Sequence, residues 1–297
     1  GGALVVLGVV TIGFFLVSKI GGNPEPVLIK IFAPQEIYRG VPFEVQAQIV
    51  NDRDTAIGDA TLTLNLGSGL INVSGINGGD ELVTEFLGDV GAGGVAKRTF
   101  KLVGVGTINS LQKIAFSLTY TALGKARFET QATQEMIIKN DSLELEIKKP
   151  EYLLQGGAFD IEITYKNVSD FDFPELILAT SYPSAFKFIS ASFPPDSLNN
   201  TWRLGALRAG SSGTLQIKGS LSSVAESNAR FSIPITMKAV FLGKEYPLAE
   251  ELVSLALAPS PVGLSVFVNG REDYIARVGD VLQYSIQYEN QSGIALA

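Results

Sequence analysis

The chain has 297 residues, 46% of them hydrophobic, and a net charge of −7 because 30 acidic residues outnumber 23 lysines and arginines. It contains no cysteine and no histidine. Disulfides, thiolate nucleophiles, zinc knuckles and iron–sulfur sites are therefore excluded, and the commonest general base is missing. An acidic chain is also a poor candidate for nucleic-acid binding. We expect about two domains, no enzymatic activity and no cofactor.

The chain begins with an apolar segment. Its first 18 residues carry no charge, and Lys19 is the first ionisable side chain. About 18–20 helical residues span the hydrocarbon core of a bilayer. A signal-peptide cleavage site is missing, no cysteine is present to lipidate, and Val5 stands where a type IV pilin would carry a glutamate. We therefore predict a transmembrane helix over residues 1–20, contacting lipid through residues 3–20, and a glycine- and proline-containing hinge over residues 21–26.

An internal repeat organises the rest of the chain. A glycine is followed eleven positions later by an asparagine in three places: Gly40 and Asn51, Gly156 and Asn167, Gly279 and Asn290. Apolar residues occupy the third, fifth, seventh and ninth positions after each glycine: Phe43, Val45, Ala47, Ile49; Phe159, Ile161, Ile163, Tyr165; Leu282, Tyr284, Ile286, Tyr288. This alternation predicts a strand with one face in a core. The glycines lie 116 and 123 positions apart, which is a whole domain each time.

Other repeated signatures support the same register. Leu123-Gly124-Lys125 corresponds to Leu242-Gly243-Lys244, and each stands between two alternating runs as a tight hairpin turn would. No long window after residue 20 has helical spacing. We therefore predict an all-β chain of antiparallel sandwiches over residues 27–140 and 141–259, with an incomplete third over residues 260–297.

One stretch of the second repeat resembles a known family. Residues 181–191 read SYPSAFKFISA, and residues 200–210 read NTWRLGALRAG. A Pro-x-x-aromatic strand followed by Leu-Gly-x-Leu-x-x-Gly resembles the conserved Ig-like repeat found in tandem on large bacterial and archaeal surface proteins. The first repeat departs from this pattern, with Gly67 in place of the proline and Glu85 where Trp202 stands. The resemblance covers roughly residues 27–297 and implies tandem Ig-like sandwiches, a cell-envelope location, a structural or adhesive role and no catalytic residue.

Two loops contain candidate binding residues. The carboxylates are candidate calcium ligands: Asp52, Asp54, Asp59, Asp170 and Asp172. Calcium requires several oxygen ligands, but neither loop has the Asp-x-Asp-x-Asp-Gly spacing of a dedicated site, so solvated turn residues are the alternative. Phe171 and Phe173 lie in the second loop and are candidates for gripping a partner protein or a glycan.

The chain also contains five Asn-x-Ser/Thr sequences, which is the pattern of N-glycosylation acceptors. They begin at Asn72, Asn140, Asn167, Asn199 and Asn290. Asn167 and Asn290 are also the turn residues of the repeat, so the pattern at these two positions has a structural explanation.

These observations predict a single-pass, membrane-anchored cell-surface protein whose tandem Ig-like domains form a stalk or envelope scaffold outside the cytoplasm. A second hypothesis is a subunit of a filament, lattice or larger envelope complex that packs through its hydrophobic N-terminal helix. A third is a carbohydrate-binding module, which rests on the loop aromatics. The expected partners are membrane lipid, other surface proteins or glycans, and further copies of the chain.

Overall fold

The computed structural model describes residues 27–74, 79, 81–122, 126–153, 157–196, 198–221, 230–257 and 262–290. Within these ranges the chain forms twenty strands and no helix, which confirms the all-β prediction. The predicted transmembrane segment and hinge lie outside the described residues. Across the described ranges, no helix is long and apolar enough to cross a membrane.

The first nine strands form one sandwich, called domain one below. Its two sheets have the orders β1-β3-β7-β5 and β2-β9-β8-β4-β6. The strand pairs are antiparallel apart from β2 and β9, which are parallel. The strands are β1 Val27–Phe32, β2 Glu36–Tyr38, β3 Pro42–Asn51, β4 Ile57–Leu66, β5 Leu70–Asn72, β6 Leu82–Val90, β7 Val95–Gly104, β8 Leu111–Ala122 and β9 Ala126–Asn140.

The next nine strands form domain two with the same topology. Its sheets have the orders β10-β12-β16-β14 and β11-β18-β17-β13-β15, so each strand has a counterpart nine places earlier. The strands are β10 Leu143–Lys148, β11 Tyr152–Leu153, β12 Ala158–Asn167, β13 Phe173–Thr180, β14 Phe186–Ala191, β15 Thr201–Leu207, β16 Ser212–Leu221, β17 Arg230–Phe241 and β18 Lys244–Leu257. The sequence repeat is therefore a repeat of the whole strand order.

The last two strands, β19 Val262–Val268 and β20 Tyr284–Asn290, form a separate antiparallel hairpin. This hairpin has the same register as the β1–β3 pair of domain one and the β10–β12 pair of domain two. In each pair the first residue of the first strand is opposite the repeat asparagine. The pairs are Val27 with Asn51, Leu143 with Asn167, and Val262 with Asn290.

Alternation places the predicted apolar series in the cores. In β3, Val45, Ala47 and Ile49 have no exposed surface, and the corresponding residues of β12 are also buried. Residues from both sheets of a domain belong to one buried cluster, so the sheets pack face to face. In the β19–β20 hairpin the corresponding residues Tyr284, Ile286 and Tyr288 are 63–82% exposed. A hairpin alone has no second sheet to bury them.

The repeat asparagine of domain one joins its two sheets. Asn51 ends β3 and is completely buried. Its side-chain amide donates to the carbonyl oxygens of Thr55, Val90 and Gly91 at 2.8–3.0 Å, and its Oδ1 accepts from the amide of Arg53. Since Val90 ends β6 of the opposite sheet, one side chain closes the turn and ties the sheets together.

Asn167 repeats this arrangement in domain two. Its amide donates to the carbonyl oxygens of Phe171 and Leu207, and its Oδ1 accepts from both the amide and the hydroxyl of Ser169. Leu207 ends β15 of the opposite sheet. The asparagine is therefore placed by the fold of the domain, because an apolar side chain here would leave several buried backbone groups unpaired.

We expect Asn167→Ala to lower the free energy of unfolding of domain two by about 2–4 kcal/mol, because it leaves buried carbonyl and amide groups without partners. Urea unfolding followed through Trp202 fluorescence measures this, since Trp202 is the chain's one tryptophan and is buried in domain two. Ser190→Ala, at an exposed position of β14 in the same domain, is the control. Equal unfolding midpoints for the two variants would contradict the assignment.

Tyr182 brings an unsatisfied polar group into domain two. Its ring stacks on that of Phe186, with centroids 4.1 Å apart. Its hydroxyl and that of Thr180 are buried near each other, but among the described residues neither has a partner in good hydrogen-bond geometry. Burial disfavours the charged phenolate and raises the pKa of Tyr182 to about 12, and the nearby Thr180 hydroxyl opposes this shift only in part.

This pKa predicts a loss of stability at alkaline pH. Below about pH 10 both states of the chain hold the proton; between pH 10 and 12 the unfolded tyrosine ionises first, which favours unfolding. We expect Tyr182→Phe to reduce this loss and to be neutral or stabilising at pH 7, because it removes an unpaired hydroxyl. Urea unfolding at pH 7 and pH 11.5 measures both effects, with Tyr284→Phe as the exposed control. An alkaline slope that Tyr182→Phe leaves unchanged would refute the assignment.

Candidate functional site: the joint between the two sandwiches

Only two residues separate the sandwiches, because β9 ends at Asn140 and β10 begins at Leu143. This linker is bonded to both domains. On the side of domain one, the backbone amide of Arg39 donates to the carbonyl of Asn140 at 2.9 Å. The Arg39 guanidinium donates to Oδ1 of Asp141, from Nη2 at 2.7 Å and from Nε at 2.9 Å. On the side of domain two, the carbonyl of Ser142 accepts from the amide of Val168 at 2.9 Å.

The Arg39–Asp141 pair is partly removed from water. The Arg39 side chain is 14% exposed and that of Asp141 is 40% exposed. A pair with one buried partner holds its geometry better than a fully solvated one, although the desolvation of the guanidinium offsets part of the attraction. We therefore regard this ion pair mainly as a constraint on the direction of the linker.

An apolar contact lies beside the linker. Val103 of β7 has no exposed surface and belongs to the same buried cluster as the core of domain two. Ile71, Val73 and Val105 of domain one are half-buried against that cluster. The core of domain two therefore extends to the end of domain one, and the two sandwiches share a dry contact as well as a covalent link.

Leu248 of β18 makes the closest described approach across the joint. It is completely buried. A Cβ atom added to Gly40 would lie 2.5 Å from Leu248 Cδ2 and 2.8 Å from Cδ1, so the leucine rests directly on the glycine backbone. Gly40 has a φ of +76° and donates its amide to the carbonyl of Gly104 at 2.7 Å. Glycine suits this position because the conformation and the contact both exclude a side chain.

A β-bulge directs Leu248 towards domain one. The pairing of β17 with β18 shifts between Met237–Ala249 and Lys238–Pro247, which leaves Leu248 as the extra residue. Leu248 and Ala249 are consecutive and both buried, which breaks the alternation of the strand. The corresponding pair β8 and β9 runs from Leu111–Ile137 to Ala122–Ala126 without a shift. Bulges re-aim side chains, and this one is a feature of the second repeat.

The predicted aromatic contacts lie elsewhere in domain two and mostly face inwards. Phe173 has no exposed surface and is part of the core, so it presents no face to a partner. Phe171 is half-buried against the same core, and the two rings pack edge to face at 5.2 Å. Their geometry is that of core aromatics, and it gives no support to the expectation that both grip a ligand.

The predicted calcium ligands are exposed but not gathered. Among the described residues, no group of three or more acidic side chains could hold a metal ion. Asp172 accepts from the amide of Ala209, and Asp59 accepts from the hydroxyl of Thr121. Between Asp52 and Asp54, the guanidinium of Arg53 is buried, with the residue 5% exposed. A cation already stands in that loop, which disfavours a second one.

The sequence marks the loop between β14 and β15 only by the acceptor pattern at Asn199, and the structure adds exposed apolar side chains there. In this loop Phe193 is 48% and Leu198 is 73% exposed. The loop is held by two anchors: Trp202 Nε1 donates to the carbonyl of Phe193, and Asp196 Oδ1 accepts from three backbone amides. Exposed apolar side chains on an anchored loop are a candidate contact surface.

No known family model matches the chain, and no curated protein matches it. Its likenesses to solved structures are distant. Red sea bream transglutaminase has 11% identity and a TM-score of 0.33, over 79% of this chain and 31% of that one. The native conformation of Escherichia coli alpha-2-macroglobulin has 12% identity and a TM-score of 0.35, over 82% of this chain and 17% of that one. AvmM, a macrocyclization catalyst of alchivemycin A biosynthesis, has 12% identity and a TM-score of 0.31.

The chain spans less than a third of the length of the first two of these proteins. At such TM-scores the likeness carries no inference about activity or partners. The resemblance to surface-protein repeats therefore stays a hypothesis that rests on the residues quoted for it.

We expect Gly40→Ala to loosen the joint, because the new methyl group would collide with Leu248 in addition to straining a φ of +76°. Gly210→Ala is the matched control, since its φ is +70° but nothing lies within 4 Å of the added atom. The absence of cysteine allows spin labels at Thr84→Cys and Lys187→Cys, both exposed positions, one in each domain. The distance distribution between the labels should broaden for Gly40→Ala and stay narrow for Gly210→Ala.

A second substitution tests the contact from the other side. Leu248→Ala alone should also broaden the distribution, because it removes the packed side chain, and in the Gly40→Ala background it should add little, because both changes affect the same contact. Equal widths for the parent, Gly40→Ala and Gly210→Ala would show that this contact does not control the orientation of the domains.

Proposed function

We propose that the chain is a membrane-anchored cell-surface protein whose tandem Ig-like sandwiches act as a stiff stalk or envelope scaffold. The observation that carries this proposal is the joint. Domains of one chain move relative to one another by default, and a short, constrained linker or a large hydrophobic interface restricts that motion. Here the linker is two residues long, an ion pair fixes it, and Val103 and Leu248 are completely buried beside it.

Such a joint suits an extended stalk that resists bending better than it suits an enzyme. An enzyme built from two domains places reactive groups in a cleft between them. The groups found at this joint are aliphatic side chains, backbone amides and one Arg–Asp pair. They hold the domains together, and the described residues of the joint include no nucleophile paired with a base. The proposed role is therefore mechanical and non-catalytic.

The register of β19–β20 supports an array of more than two repeats. This hairpin repeats the pairing that opens both domains, and its apolar residues Tyr284, Ile286 and Tyr288 are exposed. In domains one and two the corresponding residues face a second sheet. We propose that residues 260–297 begin a third sandwich, in which the same face is covered in the same way.

The proposed anchor is the apolar segment of residues 1–20, with the hinge of residues 21–26 allowing the stalk to tilt at the membrane. Its support is the sequence: 18 residues without a charge, followed by a hinge with two glycines and two prolines. A single-pass orientation with the β-domains outside the cytoplasm follows from the proposed surface role.

The experiment tests anchoring and location together. Thr133→Cys introduces one exposed thiol on β9, and the buried Ala47→Cys is its control. In intact cells that carry the full chain, a membrane-impermeant maleimide should label Thr133→Cys but not Ala47→Cys. Removal of residues 1–20 should release the protein from the membrane fraction. Failure of Thr133→Cys to label until the cells are lysed would overturn the location, and full retention of the truncated chain in the membrane fraction would overturn the anchor.

The state of the full chain in mild detergent separates the anchor from an assembly. Monomers or small oligomers are expected for a membrane-anchored stalk. Long regular particles would instead support the filament or lattice, in which the N-terminal segment packs against copies of itself.

A further inference from the structure

The five Asn-x-Ser/Thr sequences differ in whether their asparagine and their hydroxyl residue are accessible to solvent. A transferase must reach the asparagine amide and the hydroxyl residue two positions later, and the attached sugar must remain in water. Asn72 and Asn167 are 1% and 0% exposed, so neither can carry a sugar in the folded chain. Asn140 is exposed, but its partner Ser142 is completely buried. For Asn290 the partner residue 292 lies outside the described residues.

Among the acceptor sequences that are fully described, the one that begins at Asn199 meets both requirements. Asn199 lies at the tip of the loop between β14 and β15, with a φ of +58°, and its side chain is exposed. Within the described residues this side chain has no hydrogen-bond partner. Thr201, the required hydroxyl residue, is only half-buried at the start of β15.

The loop holds the acceptor away from the body of the sandwich. Asp196 Oδ1 accepts from the amides of Leu198, Asn200 and Thr201, and the carbonyl of Asp196 accepts from the amide of Asn199 at 3.1 Å. The acceptor therefore projects from a short, internally bonded turn. Asparagine tolerates the left-handed conformation here, which also explains the residue type without a sugar.

The neighbouring side chains supply an independent observation. Leu198 is 73% exposed beside the acceptor, and Phe193 in the same loop is 48% exposed. Covering exposed apolar side chains with another molecule is favourable, because it removes apolar surface from water. The apolar face of a sugar ring against an aromatic or aliphatic side chain is such a cover.

We propose that Asn199 is an N-glycosylation site of this protein. The co-reactant is a glycosyl donor activated at its anomeric carbon by a phosphate leaving group. The amide nitrogen of Asn199 forms a bond with that carbon, the bond from the carbon to the phosphate oxygen breaks, the phosphate departs with the bonding electrons, and one amide proton is released. The inference rests on the proposed extracytoplasmic location, because the attached sugar would face the outside of the cell.

Mass spectrometry of the full chain isolated from its own membranes tests the proposal. Cleavage after Lys187 and Arg203 releases residues 188–203, a peptide with this acceptor sequence and no other. We expect this peptide to carry a glycan mass on Asn199. The added mass should be lost in Asn199→Gln and in Thr201→Ala, and it should be retained in Thr201→Ser. Asn140→Gln is the matched control and should leave the mass of the protein's glycan unchanged.

Recovery of residues 188–203 only at the unmodified mass would overturn the inference, as would a glycan that survives Asn199→Gln. This failure is distinguishable from failure of the proposed function. An unmodified peptide from a chain whose Thr133→Cys variant is labelled on intact cells removes the glycosylation site alone. An unmodified peptide from a chain that is not labelled removes both proposals.

Discussion

The buried asparagine at the end of the third strand of each sandwich is the interaction on which both domains depend. Alternating apolar side chains supply most of the favourable free energy of packing, but burial alone does not fix how two sheets meet at their ends. Asn51 and Asn167 do this by bonding the turn that follows their own strand and the last residues of a strand in the opposite sheet. One amide group therefore couples the two layers and pairs backbone groups of the turn.

The joint is built from a different kind of interaction, and it is asymmetric. Domain one contributes backbone, through Gly40 and Gly104, together with small aliphatic side chains. Domain two contributes Leu248, which a bulge places at the contact. On an isolated domain, each of these surfaces would be a small exposed apolar area. The contact exists because the chain gives it a linker of two residues, so the entropic cost of bringing the surfaces together is small.

Much of the fold follows from the sequence in physical terms. The period of two in residues 43–49 and 159–165 predicts strands with one buried face, and those strands are β3 and β12. The Leu242-Gly243 turn is also where the sequence places it, with both residues at positive φ between β17 and β18. These features are local, so a short window of residues contains the information.

The features that the sequence does not reveal depend on contacts between distant residues. Pro247 and two adjacent apolar residues are compatible with a bulge at Leu248, but they do not indicate which residue Leu248 contacts, and Gly40 has the pattern of an ordinary turn glycine. The sequence similarly places Phe173 in a loop, where an aromatic side chain could bind a partner. In the structure Phe173 is the first residue of β13 and its side chain is buried in the core. Burial of this kind is decided by the opposite sheet.

The Leu248 bulge also means that the two repeats are not interchangeable modules. A copy of domain two placed after another domain would bring its own docking leucine, whereas a copy of domain one would not, because its β8–β9 pair has no extra residue. The two domains therefore differ in which of them can make this contact with a preceding domain. Duplication of the second unit would therefore repeat the docking leucine, whereas duplication of the first unit would not.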